Sequence, residues 1–160
     1  MKEYEYSFNV SSIKPYIDYC IKNKYIKTSE TKENRIVYES IYNNNLIARI
    51  TNDLSNNNKI IVDAKIITSN KNVLKISKES LPLKIKEEDI SSIKSLLEVS
   101  GFQEKSNNIR TRYVYELNNV KFEIDEYEKP KMSVVAIEGK KEEVDKIYNE
   151  LLDKVKEEVK

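Results

Sequence analysis

Charged and apolar side chains alternate along several short stretches of this 160-residue sequence. At its start, Glu3 and Glu5 alternate with Tyr4, Tyr6 and Phe8. The same alternation returns in three later stretches, Arg110-Thr111-Arg112, Phe122-Glu123-Ile124-Asp125 and Val135-Ala136-Ile137-Glu138. Successive side chains of a strand point to opposite faces, so each stretch predicts a strand with one charged and one apolar face. Strands whose charged faces all point inward would enclose a polar cavity, as in a closed barrel.

Composition excludes several classes of site and setting. Basic residues number 28 and acidic residues 27, and the net charge of +1 gives no general attraction to nucleic acids or membranes. There is no histidine, so acid–base or metal chemistry must come from carboxylates, lysines or tyrosines. Cys20, the single cysteine, cannot form an internal disulfide, and the cytoplasm is the expected compartment. No apolar run approaches the ~20 residues of a membrane span, and no signal peptide is expected.

Periodicity predicts an α+β chain of about eight antiparallel strands and three helices. The helices are predicted at residues 12–24, 88–100 and 141–157, where apolar residues recur at helical spacing. The strands are predicted at residues 3–10, 34–42, 46–52, 59–66, 72–79, 109–117, 120–127 and 131–138. Eight antiparallel strands suffice to close a small barrel, so we expect a closed or cupped barrel with the helices packed outside. The length fits one domain, residues 1–160.

The chain resembles the CYTH family of triphosphate tunnel enzymes, which includes class IV adenylyl cyclases and thiamine triphosphatases. Most of the resemblance lies between Asp89 and Glu138, where a helix is followed by a basic-x-Arg strand, a strand ending in Asp and the strand ending in Glu138. Glu3-x-Glu5 is similar to the start of the family's Glu-x-Glu-x-Lys signature. Arg49 and Lys65 fit the basic positions of the intervening strands more loosely.

The resemblance implies a site for a triphosphate and for Mg²⁺ or Mn²⁺. Several basic side chains must converge to hold a triphosphate, and hard cations take carboxylate oxygens. Arg49, Lys65, Arg110 and Arg112 are the implied substrate-binding residues. Glu3, Glu5 and Asp125 are the implied catalytic residues, and with Glu138 they are also the implied metal ligands.

Other charged residues fit a structural role. Asp63 shares a strand face with Lys65, as Arg35 does with Glu39, and we interpret all four as salt-bridged lining or surface. Tyr113 and Tyr115 are expected to face the helices, opposite the arginines. With only two glycines in the sequence, neither a Walker loop nor a dinucleotide-binding fingerprint is possible.

Three positions depart from the family pattern. Ser7 stands where the signature has lysine, and Ala136 stands where the first glutamate of a Glu-Ile-Glu strand is expected. An Arg-x-Glu-x-Glu strand precedes the second helix in the family, and residues 78–84 show no such spacing. The predicted consequence of Ser7 is slow catalysis, because a hydroxyl cannot offset developing negative charge as an ammonium does.

Three functions are consistent with these residues. The first is binding of a nucleoside triphosphate, tripolyphosphate or thiamine triphosphate, with metal-dependent hydrolysis or cyclisation. The second is a binding module that holds such a ligand without turning it over. The third is an RNA 5′-triphosphatase, although the near-zero net charge argues against extended nucleic-acid binding. The expected partner is therefore a small triphosphate, with no membrane, and the protein is expected to be a monomer or homodimer.

Overall fold

In a computed structural model the chain forms nine strands and three helices within the residues that the structure describes, 2–71 and 74–155. Side chains are described for residues 4–70 and 74–153. The strands are β1 (Lys2–Val10), β2 (Ile26–Ser40), β3 (Leu46–Asp53), β4 (Lys59–Lys71), β5 (Leu74–Glu79), β6 (Leu83–Ile85), β7 (Phe102–Leu117), β8 (Val120–Glu128) and β9 (Lys131–Gly139). The helices are α1 (Lys14–Lys22), α2 (Ile90–Val99) and α3 (Lys141–Val155).

Eight of the strands close into an antiparallel barrel. Their order is β3-β2-β7-β8-β9-β1-β5-β4, and pairing of β3 with β4 joins the two ends. The short strand β6 pairs with β4 and adds a ninth strand outside the closed circuit. The predicted α+β barrel with three helices is therefore confirmed.

Two of the strands begin well before the residues that the sequence predicts. β2 begins at residue 26 rather than 34, and β7 begins at 102 rather than 109. The two strands pair with each other from Ile26 opposite Glu116 to Ser40 opposite Phe102. Their extra segments are polar and mostly exposed, so they show no apolar alternation, and pairing with a neighbour is what makes them strands.

The predicted helix boundaries are close to those observed. α1 starts at Lys14, and Pro15 occupies its first turn, where a missing N–H group costs little. α2 ends at Val99, just before Gly101, whose φ of +86° fits the predicted glycine at a helix end. A Cβ atom at Gly101 would lie 2.4 Å from a ring carbon of Tyr42, so close packing also requires glycine here.

The hydrophobic core lies outside the barrel, between the sheet and the helices. Under α1 and α3, the outward side chains Phe122, Ile124, Val135 and Ile137 are fully buried, and Tyr115 joins them as predicted. A second cluster lies under α2 and consists of Ile36, Tyr38, Ala48, Ile50 and Ile60. Because strand faces alternate, burying these faces outside directs the charged faces into the barrel. No described helix combines the length and apolar character needed to cross a membrane.

Candidate functional site

The barrel encloses a cavity of about 320 Å³ whose wall is mostly charged. Six basic side chains line it, Arg35, Arg49, Lys65, Arg110, Arg112 and Lys121. Six carboxylates also line it, Glu5, Asp63, Glu79, Glu123, Asp125 and Glu138. Of the predicted site residues, the structure brings together Glu5, Arg49, Lys65, Arg110, Arg112, Asp125 and Glu138. The backbone of Glu3 lies in β1, but its side chain is outside the described residues.

All four arginines of the sequence line this one cavity. The other 24 of the 28 basic residues are lysines, and only two of those, Lys65 and Lys121, line it among the described residues. Arginine presents a planar fork of donors that matches phosphate or carboxylate oxygens, whereas lysine acts as a compact point charge. The concentration of arginines therefore sets the cavity apart chemically from the lysine-rich exterior.

Arg112 and Arg110 are tied to carboxylates on neighbouring strands. Arg112 donates from Nε and Nη2 to the two oxygens of Asp125, at 2.8 and 3.0 Å, and its Nη1 lies 2.5 Å from Glu123. Arg110, which is 1% exposed, donates to Glu33 at 3.1 Å and to Asp125 at 3.4 Å. Burial lowers the pKa of Arg112, but Glu123 and Asp125 more than offset this and raise it well above its usual value.

One donor of Arg110 is left unsatisfied despite these pairs. Its Nη2 lies 3.0 Å from Glu33 Oε1, yet this contact lacks hydrogen-bond geometry. The group is therefore a buried N–H donor without an acceptor among the described residues. Leaving such a donor unpaired costs about 1–3 kcal/mol, a cost that a ligand oxygen could remove.

A second ion-pair network lies across β3, β4 and β5. Arg49 makes a two-point contact with Asp63, at 2.9 and 2.7 Å, and its Nη2 is 3.2 Å from Glu79. Lys65 lies 3.4 Å from Glu5 and 3.7 Å from Glu79. The interpretation of Asp63 and Lys65 as salt-bridged lining is therefore confirmed.

Glu79 lines the cavity from β5. In β1–β5 pairing, Lys75 lies opposite Glu5 and Ser77 opposite Glu3, so these two and Glu79 share the inward face of β5. That face thus reads Lys75-x-Ser77-x-Glu79, which differs from an Arg-x-Glu-x-Glu pattern. Among the described residues, Glu79 is the carboxylate that β5 contributes to the cavity wall.

Arg35 differs from the other three arginines because no carboxylate among the described residues forms a salt bridge with it. Its Nε donates to Thr51 Oγ1 at 3.1 Å, and no acidic group of the described residues lies within 4 Å of its guanidinium. Burial, and then the charges of Arg110, Arg112 and Arg49, lower the pKa of Arg35 to about 9. At neutral pH Arg35 is therefore charged although burial and the neighbouring guanidiniums oppose its charge, and an anion would stabilise it.

Arg35 was expected to be salt-bridged lining or surface, and it lines the cavity without a salt bridge to any described carboxylate. Glu39, which shares its strand face, accepts a hydrogen bond from Lys105 at 2.6 Å. The sequence did contain a signal, the scarcity of arginine. In a chain with four arginines and 24 lysines, an arginine indicates a position where the planar fork of donors matters.

Three carboxylates form a compact cluster in the cavity wall. Oxygens of Glu5, Glu123 and Glu138 lie within 4.8 Å of one another. Burial opposes ionisation of Glu123, but the charge of Arg112 and a hydrogen bond with Glu138 hold its pKa well below the usual range. An all-oxygen donor set of this kind fits Mg²⁺ or Mn²⁺.

The membership of this cluster differs from the predicted metal-ligand set. Glu123 joins Glu5 and Glu138, although it had not been assigned a role. Asp125, which had been assigned one, has both oxygens bonded to Arg112. Alternation along β8 places both acids on the inward face, so only the three-dimensional pairing separates their surroundings.

Two of the departures from the family pattern lie side by side. Ser7 pairs directly with Ala136 across β1 and β9, and both line the cavity. Glu123 is the next residue in this row, opposite Ala136 on β8. The wall beside the carboxylate cluster is therefore made of two small side chains without charge.

Comparison with known proteins shows likeness in structure alone. No protein-family model and no curated protein matches the chain. The PH1012 protein of Pyrococcus horikoshii is 21% identical, with a TM-score of 0.70 over 96% of this chain and 88% of that one. A conserved hypothetical protein of Pyrococcus furiosus is 18% identical, with a TM-score of 0.71 and the same coverage.

A third similar structure comes from a plant. The putative adenylyl cyclase HpAC1 of Hippeastrum, which has a dominant triphosphatase activity, is 16% identical. Its TM-score is 0.65, over 97% of this chain and 87% of that one. Together with the closed eight-stranded barrel, this likeness confirms the resemblance at the level of the fold, and the chain has a CYTH-type fold.

Proposed function

We propose that the protein binds the triphosphate group of a small molecule inside the barrel. The ligand class comprises nucleoside triphosphates, tripolyphosphate and thiamine triphosphate. The observation that carries the proposal is Arg35, a cavity guanidinium that forms no salt bridge with any carboxylate whose side chain is described. A triphosphate brings several negative charges, and guanidinium–phosphate contacts are strong because charge and geometry both match.

The unsatisfied Nη2 of Arg110 supports the same role. Arg35 and Arg110 would hold the anion, whereas Arg112 and Arg49 are each already paired with two carboxylates. These two would act mainly as positioning residues, with Asp125 and Asp63 as their partners. Lys65 would gain a phosphate contact by leaving Glu5, from which it is separated by 3.4 Å.

A divalent cation would be held by Glu5, Glu123 and Glu138. When bound, such an ion neutralises phosphate charge and can activate a water molecule for hydrolysis. Lys65 and Lys121 lie 3.4 and 3.7 Å from Glu5 and Glu138, at the long end of ion pairing. Binding of a cation would replace these long lysine contacts of the two carboxylates.

Calorimetry with tripolyphosphate and Mg²⁺ tests the proposal. Arg35→Met should weaken binding about tenfold or more, because it removes a charge-assisted contact worth roughly 1.5–3 kcal/mol. Lys14→Met is a matched control, since it also removes one positive charge but from a side chain that is 81% exposed and pairs with Asp18. Equal affinity of wild type and Arg35→Met, or no binding by wild type, would refute the proposal.

The second candidate function is binding without turnover. Ser7 and Ala136 favour it, because they remove an ammonium and a carboxylate from the wall next to the proposed metal ligands. The two candidates share the same binding residues and differ only in the rate at which phosphate is released.

A further inference from the structure

Each arginine of the cavity has a polar residue directly opposite it on a neighbouring strand, and for two of them that residue is an aspartate. Arg49 lies opposite Asp63 across β3 and β4 and donates two hydrogen bonds to it, at 2.9 and 2.7 Å. Arg112 lies opposite Asp125 across β7 and β8 and also donates two, at 2.8 and 3.0 Å. A two-point pair of this kind sets a negative charge directly against the guanidinium.

The other two arginines have a hydroxyl in the same relation. Arg35 lies opposite Thr51 across β2 and β3, and its Nε donates to Thr51 Oγ1 at 3.1 Å. Arg110 lies opposite Tyr127 across β7 and β8, and its Nη1 donates to the tyrosine hydroxyl at 3.2 Å. A hydroxyl accepts a hydrogen bond but carries no charge, so it holds a guanidinium without neutralising it.

Both arginines that pair with a hydroxyl keep donors that a ligand could use. Among the described residues, Nε is the one nitrogen of the Arg35 guanidinium that has an acceptor. Arg110 also pairs with Glu33 and Asp125, yet its Nη2 has no acceptor among these residues. The residue opposite each arginine thus divides the four into two neutralised by an aspartate and two held by a hydroxyl.

The hydroxyls also restrict how the two guanidiniums can move. A long side chain loses conformational entropy when a ligand orders it, and a contact that orders it beforehand reduces that cost of binding. The hydrogen bond from Nε to Thr51 restrains the plane of the Arg35 guanidinium. Tyr127 lines the cavity with its ring as well, and the guanidinium carbon of Arg110 lies 6.0 Å from the ring centroid.

We propose that Thr51 and Tyr127 are positioning residues for anion binding. Each holds one arginine through a neutral hydrogen bond, so that the guanidinium is ordered in the cavity and keeps its charge for a ligand. An aspartate at position 51 would instead reproduce the pairing of Arg49 with Asp63. This inference rests on the proposed triphosphate binding and adds the residues that prepare two of its arginines.

Calorimetry with tripolyphosphate and Mg²⁺ tests the two hydroxyls. Thr51→Ser keeps the hydroxyl, whereas Thr51→Val keeps the shape of the side chain and removes it. Thr51→Ser should bind within about twofold of wild type, and Thr51→Val should bind roughly fivefold more weakly, because one neutral hydrogen bond is lost. Tyr127→Phe, which keeps the ring, should weaken binding by a similar factor.

Thr51→Asp is the sharper test, because it gives Arg35 the kind of partner that Arg49 has. It should weaken tripolyphosphate binding about tenfold or more and raise the Tm of the ligand-free protein, since it supplies a counter-charge to a buried guanidinium. A packing role would lower affinity and Tm together, and that result would overturn the inference. Thr28→Asp is the matched control, since it adds the same charge at an exposed position of β2 and should change affinity less than about twofold.

The outcomes separate this inference from the proposed function. If wild type binds tripolyphosphate and Arg35→Met weakens binding, then wild-type affinity in Thr51→Val or in Tyr127→Phe would overturn the role of that residue while the proposed function stands. If wild type does not bind tripolyphosphate, both fail. The comparison of Thr51→Val with Thr51→Ser keeps the test decisive if Thr51→Asp does not fold.

Discussion

Four arginines with the same side chain have different roles because their neighbours differ. Arg112 and Arg49 each pair with two carboxylates, and Arg110 has two acids and one unsatisfied donor. Among the described residues, Arg35 donates a side-chain hydrogen bond only to the hydroxyl of Thr51. The neutralised arginines organise the cavity, and Arg35 keeps the charge that a ligand can use.

The Arg35→Met substitution should raise the stability of the ligand-free protein. The pKa of Arg35 is about 9 in the folded protein, against the usual 12.5. At pH 7 Arg35 is therefore charged in both the folded and the unfolded state. The folded state bears the whole free-energy cost of burying this charge. We expect a gain of the order of 1 kcal/mol, equivalent to about 2–4 °C in Tm. Saturating tripolyphosphate should reverse the order, stabilising wild type more than the variant.

Thermal unfolding with and without tripolyphosphate measures this effect. Lys14→Met should match wild type in both conditions, because its charge is exposed and contributes little. A lower Tm for ligand-free Arg35→Met would show that Arg35 stabilises the empty barrel and is already well paired.

The predicted contribution of Arg112 changes once its partners are known. The sequence assigned Arg112 to phosphate binding, and its removal would now leave Asp125 and Glu123 buried without their main counter-charge. Such an Arg112→Ala variant would lose stability as well as affinity, since breaking a buried pair costs about 3–5 kcal/mol. Arg35→Met is therefore the cleaner test of anion binding.

Sequence alternation identifies inward residues well but does not show how they pair. It placed Glu5, Arg110, Arg112, Asp125 and Glu138 on inward faces, where the structure has them. The difference between Glu123 and Asp125 depends on which side chain of β7 or β9 lies opposite each one. That register comes from long-range pairing, which one sequence does not contain.

At the scale of elements, Tyr6 of β1 contacts α3 through both its hydroxyl and its ring. Tyr6 donates a hydrogen bond to Asp145 at 2.5 Å, and its ring stacks on Tyr148 with centroids 4.2 Å apart. Hydrogen bonds from Tyr6 and Lys141 lower the pKa of Asp145. The contact thus joins the start of the chain to its last helix.

Tyr6→Phe should destabilise the protein by about 1–2 kcal/mol at pH 7, because the ring stays and only the hydrogen bond to a charged group is lost. The folded pKa of Asp145 lies below its unfolded value of 3.8, so this stabilisation is present above about pH 4. As the pH falls through the folded pKa, Asp145 becomes protonated and the stabilisation is lost.

Urea unfolding at pH 7 and near pH 3 measures the difference. The difference in the free energy of unfolding between wild type and Tyr6→Phe should be smaller at the lower pH. Lys141→Met is a useful comparison, since it removes the other hydrogen bond to Asp145 from an exposed position. A gap that is unchanged by pH would mean that the hydroxyl acts through packing and not through the Asp145 charge.

The pairing of β1 with β9 also bears on catalytic turnover, because Ser7 lies there opposite Ala136. A lysine at position 7 would restore an ammonium beside the carboxylate cluster, and Ala136 opposite leaves space for it. Such a fixed charge is typically worth about 10²–10³ in rate. Ser7→Lys should therefore raise hydrolysis of tripolyphosphate with Mn²⁺, starting from a slow wild type.

Steady-state phosphate release is the measurement for Ser7→Lys, with Ser7→Met as a control for side-chain size. Both variants place a longer side chain in the space beside Ala136, but only lysine supplies a positive charge. A wild-type turnover of ~10 s⁻¹ or faster, an ordinary enzyme rate, would show that Ser7 is no handicap.

The ends of the strands and helices show where the local sequence pattern is enough to predict an element and where it is not. The strands β8 and β9 and the helix α2 match their predicted residues closely because apolar periodicity runs through them. The polar ends of β2 and β7 carry no such signal and depend on each other. β6 escaped prediction because only three residues, just after Pro82, pair with β4.

At the scale of the whole molecule, charged residues line the interior of the barrel and the apolar core lies outside it. The apolar clusters lie between the barrel and its helices, and the barrel interior holds charge. Arranging six cations and six carboxylates in one cavity is costly unless they pair, and nearly all of them do. A cavity of this kind is poorly suited to stability and well suited to a highly charged ligand.

The most direct test is a crystal structure of the protein grown with tripolyphosphate and Mn²⁺. We predict phosphate density in the cavity with an oxygen in hydrogen-bond contact with Arg35, and an anomalous manganese signal at Glu5, Glu123 and Glu138. An empty cavity at saturating ligand, or phosphate bound only on the lysine-rich exterior, would contradict triphosphate binding inside the barrel.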